Sequence, residues 1–344
     1  MNSTKCVVNF SFFETKEVVR YFLHVFSIIT YPLNIYSFYL IVKVTPANVK
    51  NVKNVMIFLH ANTLLIDFLI DVCVIPIPYF PLPAIHMFGL LPWLGVPISI
   101  ILYFGQLSVY SLAISIVAVY QNRHSAISTI KYRITERKSL FVYYFLLYSI
   151  GAAGFAYYSF DGNYEITLKL DLIEKSSYKC PPTEFFSENT FTTDKNKTII
   201  SMIVAFIAVF DLSQLLFFGL MTAYHLVLVP SVTVSEKTRA LQLKFLIALS
   251  IQIIIPFMVL LLPVLVMCAI VIIGIVNQII NNFCIIIIGT HGILTSLSLI
   301  IIHEPFRKHA KNIIFFWKKS QNPPIVPIVP RTHSMISSNT IVPV

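Results

Sequence analysis

Long apolar stretches separated by short polar segments recur along the whole chain. A bilayer core of about 30 Å is crossed by about 20 apolar residues in helical form. Seven stretches meet that length: Val18–Val42, Asn54–Phe80, Leu94–Tyr120, Ser139–Phe160, Thr198–Val229, Phe245–Ile273 and Ile279–Ile302. Several are long enough to tilt or to run past the membrane surface. The sixth and seventh lie close together, so the boundary around Asn277–Asn282 is the weakest and six or eight spans are the nearest alternatives. No repeat of solenoid period stands out. The pattern predicts an all-α membrane protein, a seven-transmembrane helix bundle filling residues 18–302.

Composition agrees. Of 344 residues 57% are hydrophobic and 12% charged, with a mean hydropathy of +0.80. A soluble domain carries roughly 25% charged residues, so most of this chain cannot face water. The formal charge of +10 is placed for membrane topology, and no nucleic-acid partner is expected. With the N-terminus outside, the inner loops hold Lys43, Lys50 and Lys53, then Arg123, Lys131, Arg133, Arg137 and Lys138, then Lys237, Arg239 and Lys244. The tail adds Arg307, Lys308, Lys311, Lys318, Lys319 and Arg331, whereas the short outer segments 81–93 and 274–278 have no Lys or Arg. Basic residues concentrate on the cytoplasmic side, which sets an outside N-terminus and an inside C-terminus, with some charge left to touch anionic lipid. Residues 1–17 are then an extracellular segment, and the first span is expected to be an uncleaved signal anchor.

Sequons at Asn2 and Asn9 lie on the expected outer side and are candidate N-glycosylation sites. A third, at Asn196, is expected to sit too close to the membrane. Cys73, Cys268 and Cys284 fall within spans, whereas Cys6 and Cys180 fall outside, where disulfides persist. Spacing alone leaves the pairing of Cys6 with Cys180 open. After the seventh span, residues 303–320 mix basic side chains with Ile313, Ile314, Phe315, Phe316 and Trp317, the composition of a short amphipathic interfacial helix. Residues 321–344 read as a flexible cytoplasmic tail, with Ser334, Ser337, Ser338 and Thr340 as candidate phosphorylation sites.

Ionisable residues inside a membrane usually face the bundle interior. His60, Asp67 and Asp71, spaced seven and four apart, fall on one stripe of the second span. Three roles remain open for it: a cation or proton site, a polar lock that rearranges on activation, or packing between helices. Asp211 in the fifth span is a candidate bundle-lining residue. Pro76 and Pro78 are expected to kink the second span, and Pro256 and Pro263 the sixth. No HExxH, GxSxG or P-loop occurs, and the histidines have no metal-ligand spacing. No enzyme activity, metal or cofactor is expected.

Particular motifs resemble those of nematode serpentine chemoreceptors of class H, with class I as the neighbouring class. They are Ile29-Thr30-Tyr31-Pro32-Leu33, Lys43-Val44-Thr45-Pro46, the run from Val52 to His60, Gly89-Leu90-Leu91 with Leu94-Gly95-Val96-Pro97, Gln121-Asn122-Arg123-His124, and His303-Glu304-Pro305-Phe306-Arg307. The resemblance runs from Cys6 to about Lys311. It implies a chemosensory G-protein-coupled receptor in the plasma membrane of a sensory cell, with an unknown small-molecule ligand and a heterotrimeric G protein as partners. Arg123 matches the family's arginine at the inner end of the third span. With Asn122, Lys237 and Arg239 it is the expected coupling and switch set. Gln121 stands where the family pattern has Glu, so an ionic lock on Arg123 should be absent or different. Cys6 and Cys180 match the family's outer cysteines, which implies their bridge. The alternative from another class is a ligand-gated channel or a proton- or cation-coupled transporter using the His60–Asp67–Asp71 stripe, although no internal repeat supports it.

Overall fold

A computed structural model describes residues 11–45, 50–127, 130–131, 133–161, 166–175, 180–193, 195–229 and 235–321. Among the described residues, seven helical spans are long and apolar enough to cross a membrane. The first is α1 (Lys16–Tyr39), continued by a π turn at Leu40–Val44. The second is α2 (Lys50–Phe68), continued by a π turn at Leu69–Cys73. After the short α3 (Leu90–Trp93), α4 (Ile98–Ser125) and α5 (Arg137–Ser159) form the third and fourth spans. A loop helix, α6 (Ile166–Lys175), precedes α7 (Lys197–Val227) and α8 (Glu236–Ile273), the fifth and sixth. The seventh is built from two helices, α9 (Gln278–Gly289) and α10 (His291–Ile302), and α11 (Glu304–Gln321) follows it.

Burial follows helical spacing. The inward residues of α7 are Ser201, Ile207, Asp211, Leu215, Phe218, Thr222 and Leu226, mostly three or four apart, as one face of a helix requires. Its other faces expose Met202, Phe206, Val209, Phe217 and Leu220, apolar side chains suited to lipid. Helix α4 packs on α2, α5 and α7, and α8 joins α7 to both halves of the seventh span. The seventh span returns to α1, which closes the ring. Leu59, Leu112, Ile116, Phe218, Leu249 and Ile253 belong to one buried cluster that ties the second, third, fifth and sixth spans together.

One end of the bundle carries residues 11–15 and the long connection between α5 and α7. It is termed the outer end, following the charge distribution. Here the structure departs from the expected second span. The helix stops at Cys73, and Pro76 and Pro78 sit in strand β1 (Ile75–Pro78) rather than in a kinked helix. Strand β1 pairs antiparallel with β2 (Ala84–Phe88), which pairs with β3 (Thr190–Thr192). Proline has no N–H to give a sheet and belongs on an edge. Two prolines at alternate positions place both missing donors on the same side of β1, and β1 is paired on one side only. In contrast, α8 runs unbroken through Pro256 and Pro263.

The sheet is fastened by amides from the seventh span. Gln278 Nε2 donates to the Pro78 carbonyl at 3.0 Å and to Asn282 Oδ1 at 2.9 Å, and Asn281 Nδ2 donates to the Phe80 carbonyl at 2.9 Å. Asn282 Nδ2 donates to the carbonyls of Phe13 (2.9 Å) and Thr15 (3.2 Å). The doubtful boundary at 277–282 is thereby resolved. Gly274, at φ +83°, ends α8, and the Asn277 side chain accepts from the Ile280 N–H to start α9.

Candidate functional site: a chamber beneath the outer sheet

A cavity of about 560 Å³ opens inside the bundle below the sheet, within the usual range for small-molecule sites of roughly 300–1,000 Å³. Pro76, Met87 and Phe191 come from the three strands that roof it, and its walls come from α2 with its π turn, α4, α5, α7, α8 and α9. Its lining is overwhelmingly apolar, with a few polar side chains: Gln106, Thr193, Lys197, Ser201 and Asp211. Gly105 also lines it, and a Cβ placed there would meet nothing within 4 Å.

Asp211, expected to line the bundle, stands on the cavity wall and is only 4% exposed. Its Oδ1 has no hydrogen-bond partner. The two phenols that share its electrostatic environment are Tyr110 and Tyr143. Tyr110 donates instead to the Leu147 carbonyl at 3.0 Å, and Tyr143 donates to Gln214 Oε1. Gln106 on α4 is engaged as well, its Oε1 accepting from Ser159 Oγ at 3.3 Å.

The roof has its own polar interior. His86 Nδ1 lies 3.0 Å from Thr190 Oγ1 and 3.2 Å from Ser187 Oγ. Burial, reinforced by the nearby Lys16 ammonium, pulls the His86 pKa down to about 4. Fully buried Lys169 donates to the Ser187 carbonyl at 2.7 Å, and burial lowers its pKa as well. Burial alone raises Glu184, but its own backbone and the Lys16 ammonium 3.0 Å away prevail, and the net shift is downward.

The polar stripe of the second span is buried throughout, and its members have different partners. Asn34 Nδ2 donates to Asp67 Oδ2 at 2.5 Å, and Ser296 Oγ donates to Asn34 Oδ1 at 2.5 Å. The backbone of Gly292, in the first turn of α10, bonds the same carboxylate. A helix N-terminus favours an anion, and the break at Thr290 puts one within reach of Asp67. Neither oxygen of Asp71 is hydrogen-bonded, nor is His60 Nε2. Asn34, Ser296 and Gly292 were not singled out from the sequence. Their signal was a polar amide in one span and small residues in another, and nothing linear says that they meet.

At the inner end, Arg123 donates to Asn122 Oδ1 at 3.0 Å, and its guanidinium lies 5.1 Å from the centroid of the Phe245 ring on α8. None of the ion pairs among the described residues includes it. Gln121 turns away to donate to Ser125 Oγ (2.8 Å) and to the Ile134 carbonyl (3.0 Å), fastening the second inner loop. A glutamate has no proton to give that carbonyl when ionised. The Phe245 ring lies 5.8 Å from His303, whose Nε2 meets Gln252 Oε1 at 2.6 Å. Burial pushes the His303 pKa down to about 4. Lys237 is exposed, whereas Arg239 Nε donates to the Leu226 carbonyl at the end of α7.

Cys180 is disulfide-bonded, while Cys73, Cys268 and Cys284 are free. Cys6, Asn2, Asn9 and the tail from residue 322 lie outside the described residues.

Two comparisons bear on this arrangement. Residues 14–316 match the family described as "Serpentine type 7TM GPCR chemoreceptor Srh". The chain is also similar to "Serpentine receptor class H-72" of Caenorhabditis elegans, at 26% identity over 335 residues, covering 95% of this chain and 93% of that one.

Proposed function

The chain belongs to the class H serpentine seven-transmembrane chemoreceptor family, and from that premise we propose that it binds a small-molecule cue in the chamber beneath the outer sheet and signals through a heterotrimeric G protein. The observation that carries the proposal is the chamber itself. It is large enough for a small organic molecule, nearly all apolar, and walled by the third, fifth and sixth spans at once. A ligand that fits one arrangement of those spans better than another shifts the balance between them, by no more than its differential affinity.

The inner face supplies the other half of the reading. Arg123 rests on Phe245 rather than on a carboxylate. A cation lying on an aromatic face is held less tightly than a buried ion pair, so moving α8 away from α4 releases Arg123 toward a partner. Asn122 and Lys237 extend that surface, with Arg239 joining it once it leaves Leu226. The N-terminus is assigned outside, with the bridge from Cys180 reaching Cys6. Glycans on Asn2 and Asn9, together with a cytosolic tag after Val344, test that orientation. Asp67 is occupied by Asn34 and Gly292, which favours a structural lock at that position over a step in a cation pathway.

The test is a screen of apolar and amphiphilic small molecules in cells carrying the receptor and a G-protein-dependent reporter, repeated with Gly105→Trp. The indole has room to grow into the chamber, so responses should vanish while surface expression persists. Responses that survive Gly105→Trp unchanged would remove the chamber from the proposal.

A further inference from the structure

The chamber has one feature that its apolar lining does not explain. Asp211 is more than nine-tenths buried, points into the space, and has an oxygen without a hydrogen-bond donor. Leaving a carboxylate unpaired in an apolar interior is expensive, and residues of this kind in membrane proteins mark sites for something else. The neighbouring donors are already in use. Tyr110 gives its hydroxyl proton to the Leu147 carbonyl and Tyr143 gives its own to Gln214. Among the described residues no Lys, Arg or His forms an ion pair with Asp211.

We infer that the chamber selects ligands with an apolar body and a single ammonium group, whose N–H donors meet the Asp211 carboxylate. This deepens the receptor reading and rests on the chamber being its ligand site. A primary ammonium brings three donors and the missing positive charge. The rings of Tyr110, Phe155 and Phe257 line the same space and offer aromatic faces to a cation. Ser201, ten residues before Asp211 on α7 and so about 15 Å higher along its axis, also lines the chamber and gives a polar group near the roof. The ligand's apolar body fits the stretch between them. A carboxylic acid of the same shape would set like charge against Asp211, and Lys197, which also lines the chamber, stands fourteen residues and about 21 Å up α7, too far to neutralise a group held at Asp211.

The test uses the full-length receptor in lipid nanodiscs with three probes of matched shape: phenylbutylamine, phenylbutanol and phenylbutanoic acid. Binding is read by competition against a radiolabelled sample of the alcohol. The amine should bind at least about tenfold more tightly than the alcohol, the scale of one charge-assisted hydrogen bond, and the acid more weakly than both. Asp211→Asn should remove the amine's advantage and leave the alcohol unchanged, while Asp211→Glu should keep the preference. Gly105→Trp should block all three. Should Asp211→Asn fail to fold, the order of the three probes on the unaltered receptor still decides. Alcohol binding without preference for the amine overturns the ammonium inference and leaves the chamber as a ligand site. Failure of all three probes, or binding untouched by Gly105→Trp, overturns both.

Discussion

Gly292→Ala is a sharp perturbation because a single methyl lands on a known oxygen. A Cβ at Gly292 overlaps the Asp67 carboxylate, with Oδ2 the nearest atom. That oxygen already accepts from Asn34, and Asn34 in turn accepts from Ser296. The carboxylate must withdraw, so the variant loses an interhelical hydrogen bond and gains an overpacked contact. Such bonds between membrane helices are worth about 0.6–1.7 kcal/mol, and inserting a methylene into a filled core costs about 1–3 kcal/mol. The sum is roughly 2–5 kcal/mol. The matched control is Gly105→Ala, whose Cβ meets nothing and which gains up to about 1 kcal/mol of helix propensity. Thermal unfolding of both in detergent should show Gly292→Ala melting on the order of 5 °C or more below the parent, and Gly105→Ala at or above it. Adding Asp67→Ala to Gly292→Ala removes the clash, so the double variant should lose less than the sum of the single losses. Equal melting of the two glycine variants, or strict additivity with Asp67→Ala, would refute the contact.

The outer sheet should weaken in acid. The His86 pKa is about 4 in the fold against about 6.5 unfolded, so its contribution is complete above pH 6.5 and disappears as pH falls toward 4, a change of about 3 kcal/mol. Amide exchange in β2 should accelerate across that window, and His86→Asn should flatten the dependence. Asn282→Ala strips donors from the carbonyls of Phe13 and Thr15 and should speed exchange over residues 11–20, with unchanged exchange counting against the fastening role. Arg123→Ala should abolish G-protein signalling without reducing surface expression; full signalling would remove Arg123 from the switch.

The spans were legible because about twenty apolar residues in a row have few other physical meanings. Their ends were less so. Hydropathy carried the second span through Ile75, Ile77 and Tyr79 to Phe80, since apolar residues look alike whether helix or sheet satisfies their backbone. The decisive information was in Pro76 and Pro78, read as a kink when alternate spacing suits an edge strand. The break at Thr290 has no proline to announce it; it became meaningful only once Asp67 was seen at the new helix start. Asp211 was legible as an oddity, yet whether it faced a neighbour or a space depended on where Tyr110 and Tyr143 sent their protons, and no spacing records that. The family was legible in the order of its motifs, and Gln121 stood out as a departure from their pattern. Its bond to the Ile134 carbonyl came from the fold.

The length of α8 has a mechanical consequence. Its 38 residues span about 57 Å, nearly twice a hydrocarbon core of about 30 Å. Pro256 supplies no N–H to the preceding turn, which leaves a compliant point some way along the rod. From there to Glu236 is about 30 Å of stiff helix. A bend of about 10° at that point sweeps the inner tip through about 5 Å, so helix α8 acts as a mechanical amplifier. Shifts of about 1–2 Å where Leu260 and Val264 border the chamber, about 6 and 12 Å beyond that point, become displacements at the inner tip comparable to the width of a side chain.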